Sequence, residues 1–207
     1  MKFLGIDTTG NNAKIVLLNG KNVFVDKLKD GEKQSENLMT HIDDVFNKNR
    51  LSVGDMDAFG VVVGPGSFTG IRVGMATVKA FAFALDKPVV GVSVFEILAP
   101  AIKCGVCITK CTANSVYYGV VEGAVVKDCG VCEISKLDKF DGKKIFCLES
   151  EHLNLGDAYT FNVITNYNQL LVDAFADKLE RKEFTKNVEP LYLQLSQAER
   201  NLERKND

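Results

Sequence analysis

Gly64-Pro65-Gly66-Ser67-Phe68-Thr69-Gly70-Ile71-Arg72-Val73-Gly74 decides how this chain is read. The stretch follows a Val-rich apolar run, Ala58 to Val63, and opens a long apolar segment that ends near Leu85. Its four glycines therefore stand where a buried strand turns into a helix. Glycine tolerates positive φ and lets another chain or a phosphate come close, while Ser67 or Thr69 can cap the helix that follows. Two readings stay open: a tight strand-to-helix turn without a ligand, and a loop built to hold something. Two phosphate loops are excluded. Glycines at 64, 66 and 70 miss the G-x-G-x-x-G spacing, and Ile71 stands where a Walker A lysine would follow Gly70.

Working outward, the chain repeats itself once. Lys2 to Asp7 reads as a strand, then a polar turn, a strand from Ala13 to Leu18, and a third from Val23 to Leu28 after Asn19-Gly20. The same meander recurs as Val106 to Lys110, a turn at Thr112 to Asn114, Val116 to Val121, a turn at Gly123, and Val125 to Ile134. In the first half Leu38, Ile42, Val45 and Phe46 recur at helical spacing, and in the second Leu170, Leu171, Ala174, Phe175 and Leu179 do. The boundary is placed near Ala99-Pro100, giving lobes over 1–99 and 100–197, with a polar tail over 198–207.

Composition sets limits. At 207 residues and 46% hydrophobic the chain can bury a sizeable core, and a net charge of −2 with a pI near 5.8 supplies no general field for holding a polyanion. RNA, if involved, is expected through a partner. Nothing near Met1 reads as a secretory signal and no apolar run reaches a membrane span, so the expected compartment is the cytoplasm, without a membrane. Cys104-Gly105-Val106-Cys107 and Cys129-Gly130-Val131-Cys132 share C-x-x-C spacing with zinc ribbons, but the strand-like residues between them favour reduced core or surface thiols over a metal. The only histidines, His41 and His152, lie too far apart for a metal-binding pair on one helix, and no nucleophile has an evident activating base.

The glycine stretch, with Leu4-Gly5-Ile6-Asp7-Thr8-Thr9, Gln34-Ser35-Glu36-Asn37-Leu38 and Val90-Gly91-Val92-Ser93, resembles the TsaB (YeaZ-type) family; the second half matches chiefly at Val116-Tyr117 and Glu189-Pro190-Leu191-Tyr192-Leu193. The resemblance implies an α/β protein of the actin-like (ASKHA, RNase H-like) fold: two lobes, each with a mixed β-sheet and flanking helices. It further implies a non-catalytic subunit that supports formation of threonylcarbamoyladenosine beside the anticodon of tRNA. The implied partners are a catalytic actin-like paralogue (TsaD type) and an ATPase subunit (TsaE type), with tRNA engaged through the complex and a homodimer when the chain is alone. No cofactor is expected to bind tightly here; ATP and metal belong on the partner.

Because first-lobe helices build the interface in that family, the resemblance makes Leu38, Ile42, Phe46, Phe68, Ile71, Met75 and Val78 the partner candidates. The alternative for the second helix is that it is simply core. Gly64, Gly66, Ser67, Thr69, Gly70 and Arg72 form the loop, with Arg72 reaching either loop carbonyls or a partner. Asp7-Thr8-Thr9 resembles the turn with which actin-like ATPases approach phosphate and Mg²⁺, here expected to be vestigial. The chain departs from its relatives by lacking an Asp-Ala-Arg segment before Val116-Tyr117 and by carrying Gln194 where they have Arg. Two other functions stand beside this one: an independent ATP-dependent kinase or ATPase using Asp7, and a peptidase, against which the absence of paired histidines argues.

Overall fold

The structure is a computed structural model that describes residues 1–29, 31–149 and 161–194. The elements are β1 Lys2–Asp7, β2 Lys14–Asn19, β3 Asn22–Lys27, α1 Gln34–Asn49, β4 Ala58–Val62, α2 Phe68–Leu85, β5 Val89–Val92, α3 Val94–Ile102, β6 Cys104–Lys110, β7 Ser115–Glu122, β8 Val125–Glu133, β9 Ile145–Leu148, β10 Phe161–Ile164 and α4 Tyr167–Glu180, with short 3-10 turns at Val53–Asp55 and Ile134–Phe140. They form two compact units, residues 1–97 with 166–190 and residues 98–165 with 191–207.

The first unit holds a five-stranded sheet in the order β3-β2-β1-β4-β5. β1, β2 and β3 form the expected antiparallel meander, with Gly20 supplying the positive φ that the two-residue turn between β2 and β3 requires. β4 and β5 add in parallel. Every residue of β4 is buried, and an uninterrupted apolar run is what a parallel strand covered on both faces demands.

On one face, Gly5 of β1 pairs with Gly60 of β4, and the Phe175 ring of α4 lies over both. A Cβ on Gly5 would come 2.6 Å from that ring, and one on Gly60 2.8 Å, so the paired glycines make a slot that side chains would fill. Phe175 also meets Phe3 at 5.2 Å between ring centroids, and both are fully buried. Burial of one such ring stabilises by roughly 1.5–3 kcal/mol.

On the other face α2 contributes Ile71, Met75, Val78 and Ala82 to a core shared with Leu38, Ile42, Val45 and Phe46 of α1. Ser67 caps α2: its hydroxyl accepts the Gly70 N–H at 3.1 Å. Among the described residues α2 is the one helix long and apolar enough to cross a membrane, yet its inner face is part of this core.

The second unit repeats the plan. Its sheet runs β10-β9-β6-β7-β8, an antiparallel meander β6-β7-β8 extended by parallel β9 and β10. Val106, Ile108, Val116, Cys132, Leu137, Phe140, Ile145 and Cys147 form its core. The sequence-predicted duplication is thus a duplication of sheet order.

The boundary predicted near Ala99-Pro100 falls close to the observed division between Ile97 and Leu98, and the predicted lobes differ from the units in one respect. Residues 166–190, assigned from sequence to a second lobe over 100–197, belong to the first unit, because Phe175 fills the Gly5/Gly60 slot and Thr185 bridges to Val89. Pro100 itself lies inside α3. A Ser93–Glu96 capping box starts that helix, with Glu96 Oε2 accepting the Ser93 N–H at 2.7 Å and Ser93 Oγ accepting the Glu96 N–H at 3.1 Å. Burial of Phe95, Ile97, Leu98 and Ala99 holds it through the proline. The polar tail over 198–207 lies outside the described residues.

Candidate functional site

β1 ends at Asp7, whose carboxylate is only 1% exposed. Taking it out of water is costly unless both oxygens find partners, and they do. Oδ1 accepts the Thr9 backbone N–H at 2.9 Å and the Thr9 hydroxyl at 2.6 Å, closing the turn. Oδ2 accepts the Tyr167 hydroxyl at 2.9 Å from the first residue of α4 and lies 3.7 Å from the Lys14 ammonium. Lys14 is the cross-strand partner of Asp7, and its ammonium sits 4.8 Å from the centre of the Tyr167 ring. Acid, amine and phenol therefore form one closed cluster.

The glycine-rich loop packs directly on this turn. Ser67 N–H donates to the Thr9 carbonyl at 2.8 Å. A Cβ on Gly66 would lie 2.5 Å from that same carbonyl oxygen, one on Gly70 would strike the carbonyl oxygen of Thr8, and one on Gly74 would strike the Thr8 hydroxyl. The three glycines thus let the loop and the first two turns of α2 lie against residues 8 and 9. Gln34, at the start of α1, completes the brace by donating from Nε2 to the Gly10 carbonyl at 2.6 Å. Thr8 Oγ1 and Gln34 Oε1 are buried without a hydrogen-bond partner among the described residues.

These residues do not fit the Mg²⁺-nucleotide that the actin-like fold would bring to such a turn. The Asp7 oxygens are engaged by Thr9, Tyr167 and Lys14, the Thr8 hydroxyl faces the α2 backbone at Gly74, and the close approach that the loop glycines permit is taken up by the chain itself. The glycine stretch forms a tight strand-to-helix turn that packs on residues 8 and 9. Asp7, Thr8 and Thr9 do come together with Gly66, Ser67 and Gly70, but as packing.

The partner-surface residues read from the resemblance need correction. Leu38, Ile42, Phe46, Ile71, Met75 and Val78 are buried within the first unit, and Phe68 is half-buried. A helix apolar around most of its circumference was bound to present one side to the sheet, and these residues are that side. The opposite side of α2 exposes Arg72, Ala76, Lys79, Ala80, Phe83 and Ala84, with Phe83 92% exposed. Met39 is the exposed large apolar residue of α1. Arg72 lies with its guanidinium 4.0 Å from the centre of the Phe68 ring.

Both C-x-x-C segments lie inside strands, Cys104 and Cys107 in β6 and Cys129 and Cys132 in β8. Residues three apart in a strand point to opposite faces, so neither pair can close on one metal ion, unlike the turn-borne pairs of a zinc ribbon. None of the six cysteines is in a disulfide, and among the described residues no group of three or more His, Cys, Asp or Glu is placed to hold a metal. Burial and the neighbouring Asp128 push the Cys129 thiol up. His41 is partly packed on α1, while His152 lies outside the described residues.

Sequence reasoning missed Tyr167 and Lys14. Tyr167 stands 160 positions from Asp7 and carries no local signal. Lys14 had one: a hairpin over β1 and β2 places a base opposite the acid.

Two five-stranded sheets of identical order, with a glycine loop docked on the first β-turn, define an α/β protein of the actin-like class. Comparison with known proteins agrees. A family model described as TsaD, tRNA N6-adenosine threonylcarbamoyltransferase, matches residues 31–122. The chain is 33% identical over 100 residues to the tRNA threonylcarbamoyladenosine biosynthesis protein TsaB of Bacillus subtilis, covering 48% of this chain and 44% of that one. It is 28% identical over 195 residues to an uncharacterised protein of Mycoplasma genitalium, covering 92% and 93%. The solved YeaZ structure from Pseudomonas aeruginosa superposes with a TM-score of 0.73 at 19% identity, over 93% of this chain and 99% of that one. The chain thus spans less than half the length of the TsaB relative it matches, although the fold match runs nearly end to end. The glycine-rich half is thus similar in sequence to TsaB proteins, and the whole chain is similar in fold to YeaZ.

Proposed function

We propose that this chain is a non-catalytic subunit in the synthesis of threonylcarbamoyladenosine in tRNA, working in the cytoplasm by pairing with a catalytic actin-like paralogue of the TsaD type. The observation that carries this reading is the closed Asp7 cluster. The one acid placed where an actin-like ATPase would use it is bound by Thr9, Lys14 and Tyr167 of the same chain. Chemistry is then supplied by the partner, which carries ATP and metal, with a TsaE-type ATPase assisting. The similarity to curated TsaB sequences supports the pathway, and the net charge of −2 supports tRNA contact through the complex instead of by this chain alone.

The surface offered to the partner is the outward side of α2, with Ala76, Ala80 and Ala84 allowing close helix approach and Phe83 as the apolar anchor. Exposed phenylalanine flanked by small residues suits helix-on-helix packing, and the same surface serves a homodimer when the chain is alone. Co-expression with the TsaD-type paralogue tests the proposal: the two should co-elute, and Phe83→Asp should separate them. Failure of the wild-type chain to co-elute would overturn it.

A further inference from the structure

His41 faces two carboxylates at once. On α1, 17% exposed, it places Nδ1 2.8 Å from Asp26 Oδ2 and Nε2 3.1 Å from Glu32 Oε2. Asp26 belongs to β3, and Glu32 to the segment that joins β3 to α1. A neutral imidazole has one N–H and turns a lone pair toward the second carboxylate, whereas an imidazolium donates to both. The acceptors are themselves held in place. Glu32 Oε2 also accepts the Lys29 backbone N–H at 2.8 Å, and Asp26 is fixed opposite Ile15 in the ladder with β2.

The strand tied down in this way is the vulnerable one. β3 is the outer strand of the first sheet, paired only with β2, and five of its six residues are exposed. An outer strand with Val23, Phe24 and Val25 all partly open to water needs fastening on its free side. We infer that His41 is a proton-operated clamp: as the imidazolium it fastens both β3 and the following segment to α1, and on losing its proton it releases one of them.

The charged groups that act on the ring are Asp26 from β3 and Glu32 from the joining segment; on α1 itself the residues one turn away are Asn37, Leu38, Asp44 and Val45. The hydrogen bond to Asp26 is the largest influence and, with the two carboxylate charges and the Glu32 bond, outweighs burial, so the pKa lies above the usual 6.5. A raised folded value means that the stabilisation is complete below 6.5 and is lost as pH rises through the folded pKa. The clamp is therefore fully charged on its imidazole side below 6.5 and loosens as pH rises through the folded pKa.

The chain has two histidines, so ring-proton NMR of the full protein resolves His41 by its loss in His41→Gln. The expected result is a His41 pKa above 6.5, protons on both ring nitrogens at about pH 6, and a downward shift of the titration in both Asp26→Asn and Glu32→Gln. Thermal melts should show the wild type losing more stability than His41→Gln between about pH 6 and about pH 9, because a merely structural residue would give a pH-independent difference. A His41 that titrates at or below 6.5, or whose titration neither carboxylate variant moves, would overturn the inference. So would equal pH dependence in wild type and His41→Gln. Should His41→Gln fail to fold, the wild-type titration and the two carboxylate variants still decide.

Discussion

The hydroxyl of Thr8 occupies the space in which residue 74 would need a Cβ, so the glycine at 74 and the threonine at 8 are one packing unit. Thr8 Oγ1 has no hydrogen-bond partner among the described residues, so removing it costs little. Gly74→Ala should therefore destabilise by about 1–3 kcal/mol, and Thr8→Ala added to it should restore most of the loss. Gly70→Ala should not be rescued this way, because its obstacle is the backbone carbonyl of Thr8. Denaturant melts of the single and double variants read the coupling directly.

The Asp7 cluster makes a graded prediction. Tyr167→Phe deletes one bond to a buried carboxylate and should cost about 1.5–3 kcal/mol. Asp7→Ala strands Lys14, Tyr167 and Thr9 together and should cost more, about 3–5 kcal/mol. Both losses should appear without nucleotide, and Mg-ATP should leave the wild-type melting temperature unchanged. A Mg-ATP stabilisation abolished by Asp7→Ala would mean that the cluster opens to ligand.

Core and surface on α2 should separate cleanly. Met75→Glu or Val78→Glu buries an unpaired charge and should unfold the first unit. Phe83→Asp should leave the unfolding free energy within about 0.5 kcal/mol of wild type, since that ring touches mainly water. Loss of partner capture in Phe83→Asp at unchanged stability places the contact on the outward side.

Acid should weaken the capping box of α3. Burial would raise the Glu96 pKa, but the Ser93 N–H and hydroxyl together with Lys178 lower it below 4.5. A depressed folded value gives stabilisation that is present above 4.5 and is lost as pH falls through the folded pKa. Glu96→Gln should therefore flatten the acid limb of a pH–stability curve, while Ser93→Ala costs about 1 kcal/mol at neutral pH.

Much of this was legible in the sequence because it is written in local periodicity. Strands such as Lys2–Asp7 and the helical spacing of Leu38, Ile42 and Phe46 depend on neighbours in the chain, and the doubled meander follows from them. What could not be read was which chain segment covers which face. Phe175 looks like any apolar helix residue until Gly5 and Gly60 are seen side by side, so α4 was assigned to the wrong unit. The boundary near Ala99-Pro100 was legible to within a few residues, but that α3 continues through Pro100 was not, because the burial of Phe95, Ile97, Leu98 and Ala99 that sustains it is tertiary. The partner residues were misread for a related reason: periodicity marks which side of a helix is apolar, and that side is the one the fold buries first.

The central claim is that this chain assists a reaction it does not perform. The direct measurement is threonylcarbamoyladenosine formed on tRNA by the TsaD-type paralogue and its ATPase partner, with and without this chain, alongside ATP turnover by the chain alone. Modification that requires the chain, is lost in Phe83→Asp, and is accompanied by no ATP turnover from the isolated chain is the expected result. ATP turnover by the isolated chain that disappears in Asp7→Asn, with modification indifferent to its presence, would contradict the account.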